Sequence, residues 1–154
     1  GTGSHPTTRL CLDWLDRNLL SGSSVIDYGC GSGILAIAAA KLGAQRVQGV
    51  DIDAQAIASS RFNAERNNVT VGFFNVDDIV LEPVDLVLAN ILSNPLKVLA
   101  PLLARLALPG GRLVLSGILT PQAADVAQAY RPWFEFELPV EEEGWVRLCG
   151  VRLR

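Results

Sequence analysis

Asp27, Gly29, Gly31, Gly33 and Asp51 have the types and spacing to hold a polar ligand. The stretch Val25-Ile26-Asp27-Tyr28-Gly29-Cys30-Gly31-Ser32-Gly33-Ile34-Leu35-Ala36 starts as an apolar strand and enters a loop with glycine at every second position. An alanine-rich helix follows at once. Without Cβ atoms the three glycines let the backbone bend tightly and come close to a ligand. The helix behind them turns free N–H groups and the positive end of its dipole towards the same space. The loop therefore suits a polar or anionic ligand at the carboxyl end of a strand.

Two ligand types compete for such a loop. A dinucleotide loop spaces its glycines G-x-G-x-x-G, whereas Gly29, Gly31 and Gly33 read G-x-G-x-G. No Gly-Lys-Ser/Thr follows, so the Walker pattern fails. A second strand, Arg46-Val47-Gln48-Gly49-Val50, ends in Asp51-Ile52-Asp53, with Asp51 22 residues after Gly29. An acidic side chain placed there accepts hydrogen bonds from ribose hydroxyls. Loop, spacing and acidic strand end together point to a ribonucleoside cofactor. The glycine spacing argues against the alternative, a nicotinamide-dependent oxidoreductase.

Three further positions border the same space. Asp77, in Asn75-Val76-Asp77-Asp78, falls at the end of a third strand, where strand carboxyl ends form the ligand crevice. It could accept the exocyclic amine of adenine, or belong to a solvated turn. Asn90 ends a fourth strand, where its carbonyl could aim the lone pair of an incoming amine. Alternatively it closes the strand through a local backbone bond. Cys30 reads as a small loop residue, because the only histidine, His5, has no evident pairing with it as a base.

D-x-G-x-G-x-G followed by an acidic second-strand end resembles the class I S-adenosylmethionine-dependent methyltransferases. The stretches Gly1 to Thr8, Val25 to Leu35 and Leu88-Ala89-Asn90-Ile91-Leu92 resemble more narrowly the PrmA family, bacterial methyltransferases of ribosomal protein L11. The resemblance covers nearly the whole chain. It implies S-adenosyl-L-methionine as cofactor, held by Thr8, Asp27, Gly29, Gly31, Gly33, Asp51, Asp77 and Asn90. Thr8 would then lie beside the cofactor's amino-acid end, where its bland alternative is a first-turn hydroxyl. Asn90 would be the catalytic residue, and no metal or covalent nucleophile is required. The implied reaction is N-methylation of lysine side chains and an N-terminal α-amine of L11. Methyltransferases of other proteins or of small molecules share the same cofactor half.

The resemblance further implies one methyltransferase domain over 1–154, without the family's N-terminal substrate-recognition domain. The absence of methionine likewise predicts a piece of a longer polypeptide, with residues 1–4 as native sequence. Such a piece is expected to bind cofactor without turning over. At 154 residues and 49% apolar, the chain has enough length to bury a core as a single domain. No run is long enough to span a bilayer, and the start lacks the form of a signal peptide. A cytoplasmic protein with no membrane partner is expected. A net charge of −3 disfavours an electrostatic grip on nucleic acid. Cys11, Cys30 and Cys149 are odd in number and lack C-x-x-C spacing, which argues against disulfides and zinc. The oligomeric state is not set by these features.

The elements that must position these residues follow from periodicity and punctuation. Ser4 can cap a helix carrying Leu10, Trp14, Leu15 and Leu19 at helical spacing. After strand one come a helix over 33–42 ended by Gly43, strand two, and a helix over 54–67 capped by Asp53. Strand three is expected over 69–74 and strand four over 84–89. A helix starting at Pro95 should end near 108–111, before strand five at 112–116. A helix over 121–130 leads to closing strands at 133–140 and 145–153, joined by a solvated turn, Glu141-Glu142-Glu143-Gly144. This alternation predicts an α/β, Rossmann-like doubly wound sheet with helices on both faces. The family resemblance implies five parallel strands plus an antiparallel terminal pair.

Overall fold

A computed structural model describes residues 4–154. Gly1, Thr2 and Gly3, part of the first stretch that carries the resemblance, lie outside the described residues. The strands are β1 (Ser24–Tyr28), β2 (Arg46–Asp51), β3 (Gly72–Asn75), β4 (Val84–Asn90), β5 (Ala107–Leu119), β6 (Phe134–Phe136), β7 (Val140–Glu142) and β8 (Trp145–Arg152). The helices are α1 (Pro6–Asn18), α2 (Ile34–Lys41), α3 (Ala54–Arg66), α4 (Ser93–Val98), α5 (Ala100–Leu106) and α6 (Ala123–Tyr130). One sheet runs in the order β3-β2-β1-β4-β5-β8-β6, with β7 also paired to β8. Strands β1 to β5 are parallel, and β8 is antiparallel to β5, β6 and β7. The expected Rossmann-like architecture is therefore present.

Both faces of the central strands are buried, which is why they read as continuous apolar runs. Alternate residues go to opposite cores. Val25, Leu86, Leu88 and Val114 pack with Trp14, Leu15, Ile37 and Ile57 on one face. Ile26, Val87, Ala89 and Leu113 pack with Leu96, Leu103, Val126 and Tyr130 on the other.

Several boundaries differ from expectation for local reasons. His5, rather than Ser4, caps α1, its Nδ1 accepting from the Thr7 N–H at 3.2 Å. Strand β3 begins at Gly72 because Asn68 (φ 55°) and Val69 still close α3. Their N–H groups donate to the Glu65 and Ala64 carbonyls, a Schellman end. The helix after Pro95 is two helices, broken at Leu99. Pro101 has no N–H for the Lys97 carbonyl, and its ring crowds that carbonyl. The second helix stops at Leu106, so β5 is longer than expected, taking in Ala107 and running to Leu119. The expected strand over 133–140 is split into β6 and β7, and both halves pair with β8. The hairpin turn narrows to Glu143 and Gly144, both at positive φ, as a two-residue turn of this hand requires.

Candidate active site

The bend after β1 is built by Gly29 and Gly31, at φ 76° and 55°. The Gly29 and Cys30 N–H groups both donate to the Val50 carbonyl, at 2.8 and 2.9 Å, which ties the bend to β2. Asp51, at the tip of β2, accepts from the Gly31 N–H through Oδ2 (2.9 Å) and from the Asp53 N–H through Oδ1 (3.0 Å). A carboxylate has about four lone-pair sites, so two further donors can be accommodated. A Cβ on Gly31 would meet nothing within 4 Å, whereas one on Gly29 would lie 2.7 Å from Ile91 Cγ2.

A cleft of about 540 Å³ opens above this bend. Thr8, Asp27, Gly29, Gly31 and Asn90 all line it. Gly33, Asp51 and Asp77 do not. The missing Cβ of Gly33 faces Phe73 (2.9 Å) and Ser60 (3.1 Å), so this glycine lets α3 and β3 pack closely under the loop. Asp77 is exposed in a short 3-10 turn, Val76 to Asp78, whose N–H at Asp77 is taken by the Asn75 side chain at 3.0 Å. Its charge nevertheless adds to the burial that raises the Tyr28 hydroxyl pKa.

Thr8 reaches the cleft because α1 packs along one face of the sheet with its first turn fastened at the carboxyl end of β5. Ser116 Oγ donates to the Thr7 carbonyl at 2.9 Å, and Arg147 donates to the Leu10 carbonyl at 2.8 Å. Arg9 pairs with Glu143 (2.6 Å) and Glu142 (3.4 Å), so the acidic hairpin is a clamp on α1 and more than a solvated turn. His5 meets Trp145 edge to face, with ring centroids 5.3 Å apart.

Asp27 forms the cleft floor at 2% exposure, and its Oδ2 accepts from the Ala36 N–H at 3.2 Å. Burial pushes its carboxyl up to about 7; the Ala36 bond opposes this and the Asp51 charge adds to it. Cys30 is pushed up to about 12 by burial and by the Asp27 charge. It stays a thiol at neutral pH and is no nucleophile.

Trp145, Leu92 and Gly117 were not among the residues singled out from sequence, yet all three line the cleft. They continue into an adjoining hollow of about 310 Å³ with Leu119 and Gln122. Gly117 lies just past the expected end of strand five, so its place inside β5, where backbones approach closely, was not legible in the sequence. A Cβ there would fall 2.3 Å from the Ile91 carbonyl oxygen. Trp145 carried no signal either, since only tertiary packing brings β8 to α1. Among the described residues, no three His, Cys, Asp or Glu side chains gather as a metal site. No described helix is long and apolar enough to cross a membrane.

The sheet and its glycine bend are those of a methyltransferase fold. An RNA methyltransferase from Salinibacter ruber, solved with S-adenosyl-L-homocysteine, superposes with a TM-score of 0.76 at 20% identity, over 97% of this chain and 95% of that one. A ribosomal protein L11 methylase from Lactobacillus delbrueckii subsp. bulgaricus superposes at 0.90 with 32% identity, over 99% of this chain and 81% of that one. The family model for ribosomal protein L11 methyltransferase (PrmA) matches residues 1–153, and the chain belongs to that family. The L11 methyltransferase of Thiobacillus denitrificans is 62% identical over 152 residues, and that of Neisseria gonorrhoeae is 56% identical. The matches cover 99% of this chain but 51% and 52% of those relatives, so the chain spans about half their length.

Proposed function

We propose that this chain is the cofactor-binding and methyl-transferring part of a ribosomal protein L11 methyltransferase. Its substrates would be lysine side chains and an N-terminal α-amine of L11, which places the work in the cytoplasm. Family membership supports this reading, and the convergence of Thr8, Asp27, the Gly29–Gly31 bend and Asn90 on one cleft carries it. The space open above Gly31, the spare acceptor capacity of Asp51 and a buried carboxyl at Asp27 suit a ribonucleoside bearing positive charge. Asp51 would hold the ribose, Gly29 and Gly31 would let the backbone approach, and Thr8 would meet the amino-acid end. Gly33 would act by seating the loop, and Asp77 would meet adenine at the rim. S-Adenosyl-L-methionine supplies an electrophilic methyl carbon, so this chain's residues need only align a neutral amine with it.

Neutralising the amine is the harder task. At pH 7 a lysine amine of ordinary pKa loses its proton at a cost of about 4 to 5 kcal/mol, and an α-amine at about 1 kcal/mol. The apolar walls formed by Ile91, Leu92 and Trp145 disfavour the ammonium form, and the Asn90 carbonyl accepts from the amine and aims its lone pair. Leu92 is 67% exposed at the junction of cleft and hollow, where an aliphatic amine side chain would enter. Because the chain spans about half of its curated relatives, recognition of L11 is assigned in this proposal to residues outside these 154.

Radiolabelled methyl transfer to purified L11 by the whole protein tests the substrate, and no incorporation would remove it. The 154-residue chain alone should bind the cofactor without turnover; normal turnover by it would refute the division of labour.

A further inference from the structure

We infer that Asp27 is the counter-charge for the cofactor's positive groups and gives up its proton to solvent when the cofactor binds, so that the chain prefers the sulfonium cofactor to its thioether product. The inference rests on the methyltransferase reading above.

Asp27 lines the cleft and is 2% exposed, with the single Ala36 N–H as its hydrogen-bond donor among the described residues. No ion pair involves it among those residues. A buried carboxylate with one donor and no cation is poorly compensated. The titratable groups around it do not supply the missing charge. Tyr28 follows it on β1, Cys30 stands in the bend, Asp51 ends β2, and α1 brings Cys11 and the exposed His5 at the cleft mouth. From α2 the Ala36 N–H donates to it, and its register partner on β4 is Leu88. Burial holds Cys11 and Cys30 as neutral thiols, both pushed up to about 12. The Asp51 charge is negative and works against ionisation of Asp27, whose carboxyl stands at about 7 and is half protonated near neutrality.

A positive ligand charge in the cleft lowers that pKa and draws the proton off. The cofactor carries a sulfonium that the product lacks, so the product, with one positive charge fewer, draws off less. Binding and proton release are then one linked equilibrium.

Calorimetric titration of the chain with S-adenosyl-L-methionine and with S-adenosyl-L-homocysteine, at pH 6.0, 7.0 and 7.5, reads this directly. Paired buffers of different ionisation enthalpy count the protons. Cofactor affinity should rise about eightfold from pH 6.0 to 7.5, with about half a proton released at pH 7. The product should release fewer protons, and Asp27→Asn should flatten both profiles and narrow the preference. Asparagine keeps an oxygen for the Ala36 N–H, and the paired-buffer count on the unaltered chain stands even if the variant is unstable. Equal proton release by cofactor and product, or coincident profiles for the chain and its variant, would overturn the inference. Failure of either ligand to bind at any pH would instead strike the methyltransferase reading itself.

Discussion

Single residues divide the work of the glycine bend. All three glycines have positive φ, but Gly29 and Gly31 border the cleft whereas Gly33 accommodates Phe73 and Ser60 below it. One spacing in the sequence thus serves two purposes, the proposed ligand approach at Gly31 and close packing at Gly29 and Gly33, and only the missing Cβ positions separate them. Asn90 lines the same cleft from the end of β4, the strand beside β1. Truncating it removes the group proposed to orient the amine and leaves the bend intact. Asn90→Ala is expected to lower kcat by about 100-fold, the scale of lost alignment, while cofactor affinity changes by less than tenfold. Steady-state methylation by the whole protein, beside calorimetry, checks this; lost affinity with unchanged kcat would make Asn90 a cofactor ligand alone.

Among the elements, the break between α4 and α5 was hidden in a run that reads as one helix. Pro101 stood in plain view, but a proline within a helical pattern either kinks or ends it, and packing decides which. The Tyr130 hydroxyl, fully buried on α6, donates to the Leu96 carbonyl at 2.6 Å, one turn before the break. Tyr130→Phe leaves that buried carbonyl without this donor and should cost about 1 to 2 kcal/mol of stability, with cofactor affinity unchanged. Denaturant titration measures it, and a midpoint equal to the parent's would show that the bond stabilises nothing. The acidic hairpin was misread for a related reason. Arg9 lies more than 130 residues from Glu142 and Glu143, so no local pattern could pair them.

At the scale of the whole molecule, Asp27 makes stability depend on pH. Its folded carboxyl stands at about 7 against an ordinary value of 3.8, so between these values the folded chain holds the extra proton. Its contribution is present in full below pH 4, and is lost as pH rises to 7. Asp27→Asn should therefore be more stable than the parent chain above pH 7, with the difference fading as pH falls towards 4. Thermal unfolding of both proteins between pH 4 and 8 gives the answer, and a constant difference across that range would contradict it.

The bend, the acid at the tip of β2 and the alternation of strands and helices were all legible in the sequence. They are local patterns: glycine frees its own backbone, and a strand buried on both faces must be apolar throughout. What tertiary structure alone decided was which distant residues meet. Trp145 reached His5, Ser116 fastened Thr7, and Asp27 came to rest in the floor with no cation among the described residues, because these depend on sheet order and the fastening of α1. Sequence spacing carries no trace of contacts made across more than 100 residues; close packing of the two cores selects them.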